Sequence, residues 1–232
     1  MGLGDILWEQ AIVDYFIDDG HEVIFPVDDT YYEMVSSSIV KPGLSWCRTN
    51  DEFPLKYVYQ NEKPLYSNGL VYLPLRYADK YISAPLMLGK YTYAQLPAPE
   101  DYRNHFEITR NFNKEQDLIK LYNINPDTTI VNESFGPPDS PIRRSIHLET
   151  AGHVHYMSAS DDIKNGFCLF DWIGALQIAK AIHTVGTSIC YIIDKYCDND
   201  MHIYERRGEG WPRTFHKEIE GVYKNPKWIY ES

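Results

Sequence analysis

The chain lacks most of what marks the specialised protein classes. Basic residues are outnumbered by acidic ones, 22 to 33, leaving a formal net charge of −11. A duplex nucleic acid is therefore not expected as the main partner, because a phosphate backbone demands a basic face. A local basic pocket, such as one for a diphosphate, stays open. No apolar run approaches the roughly 20 residues that span a bilayer, so no integral membrane segment is expected. No charged stretch followed by an apolar core opens the chain, so no secretory signal is read there. The four cysteines, Cys47, Cys168, Cys190 and Cys197, show no CxxC spacing, and a reduced, cytoplasmic setting fits best. Signature motifs are missing too. There is no P-loop and no GxSxG elbow, and Leu7 stands where a GxGxxG fingerprint begun at Gly2 needs glycine.

What is present is globular. Hydrophobic residues make up 44% of 232 residues and charged ones 24%, enough for one large core or two small ones. The 19 tyrosines hint at polar, partly wet clefts, which Tyr often lines.

Hydrophobic periodicity gives an α/β order. Gly2 and Gly4 form a flexible turn, Asp5 is an N-cap, and Ile6, Leu7, Ala11, Ile12, Tyr15 and Phe16 repeat with helical period up to Asp18-Asp19-Gly20. His21 to Val27 reads as a strand, Tyr31 to Val40 as a helix, and Lys56–Tyr59 and Leu70–Leu75 as strands. Ser83 to Gln95, rich in small and aromatic residues, is expected to be a substrate loop. Lys114–Tyr122 is an amphipathic helix, and Asn123 to Asp127 a linker that sets domains at 1–123 and 124–232. Then come strands at Thr129–Asn132 and His153–Met157, helices at Trp172–His183 and Ile189–Tyr196, and a strand at Met201–Tyr204. Cys190 falls in an apolar helical stretch, where a buried thiol is expected. The aromatic, basic tail from Trp211 to Tyr230 is expected to pack back on the domains.

Three constellations could carry chemistry. Gly2-Leu3-Gly4-Asp5 opens a helix, where N–H groups favour anions and glycines permit close approach. Asp5 there is either a cap or a base for an acceptor hydroxyl. The run Phe170-Asp171-Trp172 followed by His183, Thr184, Val185, Gly186, Thr187 and Ser188 offers N–H and O–H donors to a phosphate, or else is a packing element with a plain cap. Asn132-Glu133-Ser134-Phe135-Gly136 ends a strand where ligands of open α/β sheets sit, and Arg143 and Arg144 follow as candidate phosphate partners, or else the segment is a solvated loop. A metal site built on His153, His155 and the Asp198–Asp200 pair is a third-rank possibility, since those groups also suit a sheet face and a polar turn.

On these residues the chain resembles the heptosyltransferase-like GT-B glycosyltransferases. Gly2 to Leu7 is similar to the family's N-terminal Gly-Asp loop, whose Asp is the proposed base, and this falls on Asp5. His183 to Ser188 is similar to the segment that receives the donor diphosphate. Gly186 and Ser188 match it, while Ile189 stands where the family has His. The resemblance implies an α/β fold of two small Rossmann-like lobes facing across a cleft, the first without the strand that precedes the Gly-Asp loop in the family. It implies a metal-independent transferase, with no cofactor and a nucleotide-sugar as co-substrate. The donor is expected on Asn132, Glu133, Ser134, Arg143, Arg144, His183, Thr184, Gly186, Thr187 and Ser188. A glycan or small-molecule acceptor is expected near Gly4, Tyr77 and Tyr93. The alternative is a non-catalytic nucleotide- or glycan-binding protein of the same fold.

Overall fold

The computed structural model describes residues 2–49, 65–67, 70–75, 86–136, 141–149, 152–206 and 222–231. The chain forms two units, Met1–Thr109 and Arg110–Ser232.

In the first unit the N-terminal apolar repeat makes two short helices, α1 (Leu3–Trp8) and α2 (Gln10–Asp18), interrupted at Glu9. Gly20 follows at φ +86°, the left-handed exit that glycine adopts without strain. Strand β1 (Val23–Val27), helix α3 (Asp29–Ser38) and strand β2 (Leu44–Arg48) form a parallel βαβ unit, with Val23 opposite Leu44 and Val27 opposite Arg48. Asp28 caps α3 by accepting from the Thr30 amide at 3.0 Å. A small antiparallel pair, β3 (Leu65–Ser67) and β4 (Leu70–Tyr72), comes next. The strand expected at 56–59 lies outside the described residues.

The expected substrate loop is instead helix α4 (Leu86–Tyr93) over its described part. Aromatic packing explains it. The Trp8 indole N–H donates to the Met87 carbonyl at 2.7 Å, and the Tyr91 hydroxyl donates to the Trp8 carbonyl at 2.5 Å. Trp8 also meets Tyr91 edge-on and Tyr102 at a tilt, with centroids 5.6 and 5.2 Å apart. Tyr91, Tyr93 and Tyr102 are therefore core residues, and this part of the tyrosine excess serves packing.

The second unit opens with helix α5 (Phe112–Tyr122), capped by the Asn111 side chain on the Lys114 amide. The units divide before this helix, not after it as the linker at 123–127 suggested. Its Tyr122 ring stacks on Trp172 at 5.5 Å and meets His155 at 4.7 Å, both further along the second unit. Asn123, at φ +53°, closes the helix.

Five parallel strands follow: β5 (Thr128–Asn132), β8 (His153–Tyr156), β9 (Ala181–Val185), β10 (Asp200–Tyr204) and β11 (Trp228–Glu231). Their order across the sheet is β8-β5-β9-β10-β11. Between β5 and β8 lies a two-stranded ribbon, β6 (Ser134–Phe135) with β7 (Ile142–Arg143). Helices α6 (Ala159–Lys164) and α7 (Ile173–Ile178) lead from β8 to β9, and α8 (Ile189–Tyr196) from β9 to β10.

Side chains alternate between the faces of each strand. On the helix side lie Ile130, Ile182, Met201 and Ile203, all fully buried. On the other side Val131 and Val185 pack with Phe135 and Ile146 from the ribbon region. The end of the tail adds strand β11 at the sheet edge. There the Trp228 indole N–H reaches Asp194 of α8 at 2.7 Å.

One expected element changed type. His183 ends no helix, because Ala181–Val185 is a strand next to the centre of the sheet. Among the described residues, no helix is long and apolar enough to cross a membrane.

Candidate functional site

Numbered within their own sheet, the five parallel strands run second, first, third, fourth, fifth. In such an order the chain leaves the first strand in one direction and later strands build in the other. The crevice beyond the carboxyl ends of the first and third strands is where open α/β sheets hold ligands. Here those strands are β5 and β9, and the segments leaving them are Glu133–Phe135 and Gly186–Ser188.

The structure thus brings together two of the three constellations. Asn132 faces Thr184 in register, and its side-chain amide donates to the Thr184 hydroxyl at 3.0 Å. Both are buried, so they brace the floor of the crevice. The Asn132 side-chain oxygen also accepts from the Ser134 amide at 3.3 Å, turning the chain out of β5. Glu133 is half-buried and accepts from the Ile146 amide at 2.7 Å, so its carboxylate secures the returning loop. Ser134 is paired with Arg143 in the ribbon, where Arg143 is exposed.

Beyond β9 the strand-to-helix turn is short. The Gly186 amide donates to the Tyr204 carbonyl at 3.1 Å, while Thr187 and Ser188 lead into α8. Ser188 sits at the N-cap without a side-chain cap bond, and the first turn closes on itself, the Cys190 and Tyr191 amides donating to the Thr187 and Ser188 carbonyls at 3.0 and 3.2 Å. Cys190, fully buried, approaches the Thr187 amide at 3.5 Å, and burial pushes its thiol up to about 11.

Two guanidinium groups stand at the same edge. Arg144 donates to the Glu205 carbonyl and lies over the Tyr204 ring at 5.3 Å. Arg206, just past β10, donates through Nε to the Gly186 carbonyl and lies over the Phe135 ring at 5.5 Å. Arg206 thereby touches both segments that leave β5 and β9. Sequence reasoning missed it; the signal was a basic pair, Arg206-Arg207, directly after a strand.

His183 lies away from that turn, inside β9. It stacks on His202 of β10, rings 4.2 Å apart and nearly parallel, and its Nδ1 is 2.9 Å from the Tyr204 hydroxyl. Burial, then the neighbouring imidazole, lowers its pKa to about 4, so the ring is neutral at pH 7. Asp171 caps its own short helix by accepting from the Cys168 amide at 2.8 Å.

In the first unit, Gly4 belongs to α1 rather than to a loop. Asp5 has both carboxylate oxygens engaged: one accepts from the Gly2 amide at 2.9 Å, the other from Lys90 at 2.7 Å. Tyr93 is buried, and Tyr77 lies outside the described residues. Of the metal alternative, His153 is bound to the Thr128 hydroxyl at 3.0 Å and His155 packs between Tyr122 and Trp172. Among the described residues, no three His, Cys, Asp or Glu side chains are grouped to hold a metal ion.

No family model, curated protein or solved structure matches the chain.

Proposed function

We propose that the chain is a metal-independent glycosyltransferase of the GT-B kind, its two units acting as small Rossmann-like lobes across a cleft. The donor nucleotide-sugar sits in the crevice of the second unit, and an acceptor hydroxyl comes from the first. The observation that carries this reading is the convergence, at one strand-order reversal, of Asn132–Ser134, Gly186–Ser188, Arg144 and Arg206. A diphosphate asks for that combination of small hydroxyl residues and guanidinium groups. The partial motif match at Gly186 and Ser188 points the same way.

A second reading, a non-catalytic nucleotide- or glycan-binding protein, draws support from Asp5. Its Gly2 and Lys90 bonds give it structural work, so Asp5→Asn is expected to cost stability before it costs turnover.

A thermal-shift titration with UDP, GDP, ADP and CMP and their sugar conjugates, with and without EDTA, tests the donor site. One nucleotide should stabilise the chain, by about 2.7 kcal/mol at a hundredfold excess over Kd, with no effect of EDTA. Arg206→Ala should weaken that binding about tenfold, as expected for the loss of one charge-assisted phosphate contact. No shift with any nucleotide sinks the reading. Binding without transfer to any acceptor leaves the non-catalytic alternative.

A further inference from the structure

A second constellation lies entirely within the first unit, and no sequence motif announced it. Helix α2 places Ala11, Asp14, Tyr15 and Asp18 on one face, three and four residues apart. That face borders a cavity of about 240 Å³, lined on its other side by Tyr91, Pro97 and His105. His105 ends a short 3-10 helix, Tyr102–His105, whose start is fixed by the Asp101 side chain on the Arg103 amide.

The polar groups of the cavity are ordered by one another. Asp14 accepts from Lys41 at 2.5 Å through one oxygen, and its other oxygen is 2.9 Å from His105 Nδ1. Lys41 also donates to the His105 carbonyl, so the same ammonium fixes both members of the pair. A carboxylate next to an ammonium is an acceptor, so the proton between Asp14 and His105 belongs to Nδ1. In the neutral ring this leaves the Nε2 lone pair available. Among the described residues nothing hydrogen-bonds to Nε2. An imidazole held through Nδ1 by a carboxylate is the arrangement of a positioned general base.

The ligand class follows from the lining. The Asp18 carboxylate and His105 Nε2 are both acceptors, so the ligand must bring donors. The Tyr15 ring, half exposed, and Pro97 give flat apolar surface. The volume is below the roughly 300–1,000 Å³ of drug-sized sites, a size that matches a single small ring. Hydroxyl donors on a compact ring with apolar faces describe a monosaccharide unit.

We propose that this cavity is a subsite for one sugar ring and that His105, positioned by Asp14, accepts the proton of a hydroxyl bound there. The catalytic half of this proposal rests on the glycosyl-transfer reading; the binding half does not. In the transfer, the acceptor O–H bond breaks with its proton going to Nε2. The oxygen forms a bond to the donor's anomeric carbon. The bond from that carbon to the diphosphate breaks, and its electron pair leaves with the diphosphate.

The test uses the full chain with the methyl α-glycosides of glucose, mannose and galactose as probes. The imidazole ¹⁵N signals of His105, assigned with His105→Gln, report occupancy. At least one glycoside should move the Nε2 signal saturably. Isothermal titration calorimetry of the variants should show His105→Gln weakening its binding about tenfold and Asp18→Asn several-fold, the sizes expected for one partly buried and one exposed hydrogen bond. Nucleotide-diphosphate binding should be unchanged in both variants. The subsite is overturned if no glycoside moves the His105 signal, or if both variants bind the glycoside as the parent does. Absence of nucleotide binding in the parent chain overturns the glycosyltransferase reading instead and leaves the glycoside result standing. Where turnover is present, wild-type kcat in His105→Gln removes the base assignment alone.

Discussion

Two buried carboxylates, Glu9 in the first unit and Asp194 in the second, are satisfied in different ways. In the first, Glu9 is fully buried, and Lys90 is shared between it and Asp5 at 2.5 and 2.7 Å. The other Glu9 oxygen has no hydrogen-bond partner among the described residues. Burial, only partly offset by Lys90, holds the Glu9 carboxyl above its ordinary value. Burial alone would lower Lys90, but the Glu9 and Asp5 carboxylates together outweigh it and keep the ammonium charged. In the second unit, Asp194 is just as buried but is answered by neutral donors: the Lys224 and Asn225 amides at 2.9 and 2.8 Å and the Trp228 indole at 2.7 Å. One device is a charge balance with an acceptor left over. The other is a directional cage that fastens β11 to helix α8. A buried charge pair still pays for any lone pair it leaves unmet, whereas converging dipoles satisfy the carboxylate without a second buried charge.

The strongest way to break this comparison is Lys90→Met. It strands two carboxylates around an apolar side chain and should cost about 3–5 kcal/mol, the scale for removing one partner of a buried pair. Urea denaturation at pH 7 measures it; a loss under 1 kcal/mol would mean that solvent reaches the cluster.

Asp194→Asn comes next. The amide turns at least one N–H toward donors it cannot serve, which should cost about 2–4 kcal/mol. Hydrogen exchange at Ile229 and Tyr230 should speed up with it, because β11 is the strand that Asp194 fastens. Unchanged protection of β11 would show that its pairing with β10 suffices.

The smallest and most diagnostic change is Glu9→Gln. With its folded value raised, Glu9 stabilises the fold fully only below its unfolded value, near 4.5, and that contribution is lost as pH rises through the folded value. The Glu9 contribution should therefore shrink as pH rises from about 4.5 toward neutral, and Glu9→Gln should lack that component of the pH dependence. At pH 7 the variant should be within about 1 kcal/mol of the parent, or more stable, since Gln can still accept from Lys90 without a buried charge. Equal slopes in both chains would place the Glu9 proton elsewhere in the cluster.

Much of the local structure was written in the sequence. The Ile189–Tyr196 helix matches residue for residue, its Cys190 is buried as expected, and Gly20 and Asn123 stop their helices in the left-handed conformation. Such features depend on neighbours within one turn, and so on residues adjacent in the chain. The segment Ala181–Val185 shows where that logic ends. Its apolar residues continue the spacing of Ile173, Leu176 and Ile178, so period alone extends the helix. A short strand buried on both faces has no alternation to report. The β-branched Ile182, Thr184 and Val185 were the signal that could have separated the two.

Composition and pattern determined an acidic α/β chain with loops after Asn132 and Val185 suited to anions. Only the tertiary structure decided that those loops meet, because strand order is set by pairing across the sheet and not by anything within a strand. It also decided that Asp14 finds His105 from 91 residues away and that Lys90 reaches Glu9 from 81. A helix's periodicity tells which of its faces is buried. It carries no record of which distant side chain that face will meet.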